Sequence, residues 1–517
     1  MNLMMLLEMA AAGFGERTAV GTTDGAKLTY SELFSAASAA ADHFDDENID
    51  HVSLIDVSSP ALPVAMFGSA WSGKPFVPLN YRLPETQLRD LCEDLTPTLV
   101  IGTESTTSAV QSLDGLATTP RVEFLNHCEG SDSQRGEWDM DPEAVAVLLY
   151  TSGTTGAPKA AVLRHKHLVS YILGAVEYMG AGEDEATLVA VPPYHVAGIA
   201  AICSSVYAGR RIVQLSEFDP SAWIDVATTE AITHAMVVPT MLSRIVDELE
   251  NRRRQGQAHT VESLRALSYG GGKMPAPVIE KALELFPQTN FVNAYGLTET
   301  SSTVAVLGPE EHREAVASED PAVRARLGSA GRLLPTVEVT IRDEDGKEVG
   351  IGESGEIWVR GDQVSGEYRD HAARLTADGW FPTHDGGVID EHGYLFVSGR
   401  MDDVIIRGGE NISPGEIEDV VISHPAVRDA AAIGIADVEW GEVIAVAIVA
   451  EPGEAPDTEE IKTLVKNELR GSRSPDHVVI VDELPYNETG KLLRRRLRDD
   501  LEHLERPGSS TGGTDPS

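Results

Sequence analysis

A chain of 517 residues, 42% apolar and 24% charged, is long enough to bury several domain-sized cores and has the composition of a large globular enzyme. Its 82 acidic against 41 basic residues leave a formal net charge of −41, which argues against nucleic acid or anionic lipid as a partner. No run approaches the roughly 18 to 20 apolar residues of a transmembrane segment, and Cys92, Cys128 and Cys203, far apart and without CxxC spacing, fit reduced core residues of a cytoplasmic protein rather than a disulfide framework or a zinc site.

Residues 1–13 are apolar but contain Glu8 and lack a basic leader, so they read as an amphipathic first helix and not as a signal peptide. Strand-like runs at 52–57, 75–78, 98–101, 145–150, 187–191 and 211–215 then alternate with helical spacing at 32–44, 85–94 and 167–178, and a further helix is predicted over 239–251. That rhythm is α/β. Residues 251–259 are polar and charge-rich and read as a loop, and from 328 to 359 short strands and turns indicate a β-rich subdomain. After Arg400 comes a small α+β unit: strand 403–407, the Gly408-Gly409 turn, helix 414–423, strands 427–435 and 442–450, helix 457–469 and strand 477–481. Its first helix carries a consistent start signal, with Ser413 as N-cap, Pro414 at the first position and Glu416 and Glu418 behind it. Residues 506–517 are too polar and glycine-rich to build a core.

Chemistry concentrates in four places. An apolar strand at 144–149 feeds Tyr150-Thr151-Ser152-Gly153-Thr154-Thr155-Gly156-Ala157-Pro158-Lys159, where glycines, hydroxyls, backbone N–H groups and an ammonium tip supply donors for phosphate oxygens. ATP is the natural occupant, although Lys159 lies between Pro158 and Ala160 and so departs from the GxxxxGK[ST] pattern. Because the global charge repels ATP, local positive charge from Lys159, Arg164 and Lys166, with magnesium, is expected there. Asn293-Ala294-Tyr295-Gly296-Leu297-Thr298-Glu299 offers an aromatic face, a hydroxyl and a carboxylate, and Gly270-Gly271-Gly272 leaves room for a flat ring. Asp385, followed by Arg400, is suited to accept the two vicinal hydroxyls of a ribose. Finally, Asn487-Glu488-Thr489-Gly490-Lys491 precedes Arg494-Arg495-Arg496, a setting in which a lysine by itself reads as one more surface cation.

In order and spacing these four motifs resemble those of the adenylate-forming (ANL) superfamily, and of its acyl-CoA synthetases and fatty-acid–CoA ligases in particular, over all but the tail. The resemblance implies a large multi-layer α/β N-terminal AMP-binding domain, 1–401, with a β-rich subdomain, a small mobile α+β C-terminal domain, 402–505, turning about Asp402, and a disordered tail, 506–517. It implies that Thr151, Ser152, Gly153, Thr154, Thr155, Gly156 and Lys159 hold the β- and γ-phosphates and that Gly270, Gly271 and Gly272 lie beside adenine, on which Tyr295 stacks next to Gly296. Thr298 would contact the α-phosphate, Glu299 would bind Mg2+, Asp385 and Arg400 would hold the ribose, and Lys491 would reach in from the mobile domain. His195, in Pro192-Pro193-Tyr194-His195, matches a Pro-x-x-His motif at the junction of acyl and pantetheine channels, or is a structural histidine. His384 stands where the family commonly has glycine, and is expected to be a harmless substitution.

The implied reaction joins a hydrophobic carboxylic acid, fatty or aryl, to AMP with release of pyrophosphate, then passes the acyl group to the thiol of coenzyme A. An acyl carrier protein is the alternative acceptor. A non-catalytic nucleotide-binding protein is the alternative of another class, and the joint presence of Lys491, Glu299 and Asp385 argues against it.

Overall fold

The computed structural model describes residues 1–129, 135–151, 158–370, 372–437, 440–469, 471–487 and 490–501. They gather in two compact units, one of 1–274, 278–339 and 359–382, the other of 275–277, 340–358 and the chain from 383 onward.

The first unit contains two sheets. One runs, neighbour to neighbour, through Leu116–Pro120, Thr98–Gly102, His51–Ile55, Phe76–Pro78, Val145–Thr151 and Lys159–Arg164; its strands are parallel except for the last pair, an antiparallel hairpin. The other has a parallel centre from Asn290–Leu297 through Ala266–Gly270, His234–Val237, Ala186–Val189 and Arg211–Gln214 to Thr18–Gly21, with antiparallel strands at both edges. Parallel strands need cover on both faces. Thr98–Gly102 is accordingly buried at every residue, and the helix Ala61–Ser72 is apolar all round and buried from Ala61 to Trp71. The helix Tyr30–Asp46 starts at a capping box in which Thr29 and Glu32 satisfy each other's backbone N–H groups, worth about 1 kcal/mol. The three cysteines are free and buried, and burial pushes each thiol up to about 12.

One stretch predicted as loop is partly helix: Pro239–Arg254 takes in Asn251 and all three arginines of 251–259. Positive charge in a last turn opposes the negative end of the helix dipole, and Arg252 is fixed by Asp225 at 2.7 Å and Glu248 at 2.9 Å.

Most of a four-stranded sheet, Glu338–Arg342, Gly355–Arg360, Phe381–Ile389 and Leu395–Arg400, belongs to the second unit. A second sheet there is built round the long antiparallel pair Val427–Asp437 and Gly441–Ala450, flanked by the hairpin Ile405–Arg407 and Glu410–Ile412 and by His477–Ile480. Period-two alternation sends Ala430, Ala432, Ile444 and Val446 to a core shared with helices Pro414–Ile422 and Thr458–Glu468, and Ala431, Ile433, Val443 and Ala445 to a second core with Leu484, Leu497 and Leu501. Ser413 occupies the N-cap position of Pro414–Ile422 but donates its hydroxyl to the Ser398 carbonyl instead of capping. Glu418, read as a first-turn helix charge, is buried and ion-paired with Arg494. Among the described residues no helix is long and apolar enough to cross a membrane.

Candidate active site

Thr151 and Lys159 face each other across the hairpin of the first sheet, and the Thr151 hydroxyl donates to the Lys159 carbonyl at 3.3 Å. The loop between them, with Ser152, Gly153, Thr154, Thr155 and Gly156, lies outside the described residues. Arg164 and Lys166 do not offer the expected unpaired charge. Arg164 forks onto Glu367 at 2.7 to 3.0 Å, and Lys166 meets Glu143 at 2.7 Å. Both cations are neutralised by carboxylates, one of them 203 residues away.

Strands Ala266–Gly270 and Asn290–Leu297 are parallel neighbours with Gly270 opposite Ala294, so Gly270, Tyr295 and Gly296 come together at their ends. Backbone crowding dictates two of these glycines: a β-carbon at Gly270 would sit 2.2 Å from the Ala294 carbonyl oxygen, and one at Gly296 would sit 1.6 Å from that of Ser302. Thr298 and Glu299 follow in a single tight turn, Thr298–Thr300, which reverses into the strand Ser302–Leu307 through Ser301 at φ 56° and Ser302 at φ 109°.

A strap formed by residues 363–369 holds this turn. The Gln363 amide donates to the carbonyls of Thr300 and Thr303 at 3.0 and 2.7 Å, and the Ser365 N–H donates to the Glu299 carbonyl at 2.8 Å. The Tyr368 hydroxyl donates to the carboxylate of Glu299, a side chain only 8% exposed. The same strap pairs with the strand that begins at Lys159, through Val162 N–H to Glu367 O and Arg369 N–H to Ala160 O, both 2.9 Å. Glu299 is thereby drawn next to the Lys159 strand. No sequence pattern distinguishes Gln363 or Tyr368; a lone tyrosine gains significance here only through contact with a turn about 70 residues earlier and pairing with a strand about 200 residues earlier.

His195 caps the helix Val196–Ala208, its Nδ1 accepting the Ala197 N–H at 3.2 Å. Burial pulls its imidazole down to about 4, so it is neutral at pH 7. Beside it, the Tyr194 ring meets Tyr81 edge-on at 5.9 Å.

In the second unit Asp385 and Arg400 are direct partners on adjacent antiparallel strands. Arg400 Nε lies 3.2 Å from Asp385 Oδ1, and its Nη1 donates to the Thr383 carbonyl at 2.8 Å. Between Thr383 and Asp385, His384 sits at φ 58°, in the left-handed region where a β-carbon is strained, with its N–H and Nδ1 3.0 and 3.2 Å from Glu356 Oε1. A glycine, having no β-carbon, would take this conformation without strain. Asp402 lies in the exposed turn Met401–Asp403. Lys491 closes a hairpin: Asn487 N–H donates to its carbonyl and its own N–H donates to Asn487 Oδ1, both at 2.8 Å, while Gly490 takes φ 71°.

Residues 7–369 match the family model of the AMP-binding enzyme, and residues 416–491 that of the AMP-binding enzyme C-terminal domain. The chain belongs to the AMP-binding enzyme family. It is similar to a feruloyl-CoA synthase of an Amycolatopsis species, 31% identical over 92% of this chain and 94% of that one, and to a 2-succinylbenzoate–CoA ligase of Geobacillus kaustophilus, 31% identical over 93% and 95%. The o-succinylbenzoate CoA synthetase of Bacillus subtilis superposes with a TM-score of 0.81 in complex with its acyl-adenylate intermediate, at 28% identity over 97% of this chain and 98% of that one, and with 0.80 in complex with ATP and a magnesium ion, at 29% identity over 96% and 99%. This AMP-binding enzyme is therefore an adenylate-forming acid–CoA ligase with the α/β fold of that superfamily.

Among the described residues of this AMP-binding enzyme no three His, Cys, Asp or Glu side chains cluster as a metal site. One buried carboxylate, Glu299, beside the strand that begins at Lys159 is a donor of the kind Mg2+ takes when it arrives with a nucleotide, because Mg2+ is commonly held by one or two carboxylates plus phosphate oxygens.

Proposed function

We propose that this AMP-binding enzyme activates a hydrophobic carboxylic acid, aryl or fatty, with MgATP and transfers it to coenzyme A in the cytoplasm. The first step attacks the α-phosphorus of ATP with the substrate carboxylate, forming the acyl–phosphate bond and expelling pyrophosphate. In the second, the CoA thiol loses its proton and attacks the acyl carbonyl, and AMP leaves with the bonding electron pair. Catalysis of the first step is alignment and charge stabilisation. In this reading the Thr151 to Lys159 loop orients the β- and γ-phosphates, Thr298 contacts the α-phosphate, Glu299 holds Mg2+, and Tyr295 with Gly270 to Gly272 frames the adenine. Asp385 and Arg400 take the ribose. Lys491 offsets charge developing between carboxylate and α-phosphate, and a turn about Asp402 removes it before thiol attack.

The observation that carries this reading is the strap at 363–369, which keeps the Glu299 carboxylate beside the Lys159 strand. A panel of carboxylates assayed for pyrophosphate release with and without CoA tests it. Acid-dependent release with CoA thioester as product is expected; thioester formed only on a holo acyl carrier protein would transfer the acceptor role, and ATP binding with no acid-dependent release would reject the enzyme reading.

A further inference from the structure

Two tethers flank the hairpin that carries Lys491, and both attach to the strand Val427–Asp437. On the incoming side the Tyr486 hydroxyl donates to the two carboxylate oxygens of Asp429 at 3.0 and 3.2 Å. Tyr486 also pairs with Leu492 across the hairpin, and the Leu493 N–H donates to the Pro485 carbonyl at 2.7 Å, which puts the tether at the hairpin's mouth. On the outgoing side Arg494 opens the helix Arg494–Leu501. Its guanidinium grips both oxygens of Glu418, donates to the Ala432 carbonyl at 2.8 Å, and brings Nε within 3.5 Å of Asp403. Glu418 in turn accepts the Ala432 N–H at 2.8 Å. Desolvating an Arg–Glu pair opposes folding, and apolar side chains of the same volume pack at least as stably; what the ion pair adds is a fixed direction.

We propose that Tyr486 and Arg494 are positioning residues for Lys491. They clamp the hairpin to the strand at Asp429 and Ala432, and the contact with Asp403 makes the hairpin turn as one body with the residue that follows Asp402. The backbone of Lys491 is already fixed on Asn487, so the clamp sets the direction in which the lysine side chain leaves the hairpin. The inference rests on Lys491 being the adenylation lysine.

The test uses the full chain. Tyr486→Phe and Asp429→Ala each remove the incoming tether, whereas Asp429→Asn keeps an acceptor oxygen. Acid-dependent pyrophosphate release should fall about 10- to 100-fold in the first two, with the KM for ATP and the conversion of supplied acyl adenylate to CoA thioester each held within about twofold. Asp429→Asn should recover most of the loss, and amide hydrogen exchange at Asn487, Gly490 and Lys491 should speed up only in the first two variants. Equal loss in both half-reactions, unaltered pyrophosphate release or unaltered exchange overturns the proposal. A wild-type chain inert toward every acid overturns the proposed function instead, and exchange alone then decides whether the tethers fix the hairpin.

Discussion

Tyr368→Phe removes one oxygen atom and keeps the ring, so the backbone pairing of the strap with the Lys159 strand survives, and only the donor to Glu299 disappears. Both side chains are 8% exposed, so water does not readily replace the lost hydroxyl. A hydrogen bond to a charged group contributes about 1.5 to 3 kcal/mol, and at about 1.4 kcal/mol per decade this corresponds to roughly 10- to 150-fold. Loss of an orienting partner behind a metal-holding carboxylate costs about 10- to 100-fold in metal affinity, the same range. The assay is pyrophosphate release at saturating acid and ATP, titrated with Mg2+. The half-saturating Mg2+ concentration should rise by about one to two decades in the variant, while the KM for the acid stays within about twofold. A Mg2+ titration superimposable on that of the wild type would refute the idea that this hydroxyl orients Glu299.

At His384, glycine and alanine both lose the imidazole contact with Glu356, so their difference isolates the backbone: with φ at 58°, His384→Gly should be about 1 kcal/mol more stable than His384→Ala in urea, and equal midpoints would remove the strain argument. Burial lowers the His165 imidazole from 6.5 to about 4, so between these pH values the unfolded chain binds a proton that the folded chain refuses; its contribution is intact above about pH 6.5 and is lost as pH falls toward 4, amounting to about 3 kcal/mol. His165→Asn, which keeps an acceptor for the Leu3 N–H, should flatten the acid limb of stability against pH by about one proton, and parallel limbs would contradict this. Lys491→Ala should block adenylate formation by about 3 to 4 kcal/mol yet still convert supplied acyl adenylate to thioester. Asp402→Pro should do the reverse, so identical loss of both half-reactions in the two variants would reject the alternating scheme.

What the sequence makes legible is what adjacent residues determine. The helix at 85–94 has the same ends in the structure as its apolar spacing predicts, and the run at 98–101, Thr98 followed by three apolar residues, becomes a parallel strand buried along its whole length. The short strand Thr18–Gly21 carries no such apolar run: it is fixed by antiparallel pairing with Lys27–Thr29 on one side and, on the other, by the parallel pair of Val20 with Ile212, almost 200 residues later. Charge is read least well, because its availability depends on distant partners. Arg164 looks free for phosphate until the strap delivers Glu367, and Arg494 looks like one more exposed cation of a basic run until Glu418 meets it 76 residues away. The motifs that bear the proposed chemistry are visible as glycines, hydroxyls and a lysine in order, but two of those glycines, Gly270 and Gly296, answer backbone crowding before they answer any ligand. The two demands are compatible: strands that approach within van der Waals contact leave no side chain at their carboxyl ends, and a turn left bare for packing is also a turn bare enough for a planar base.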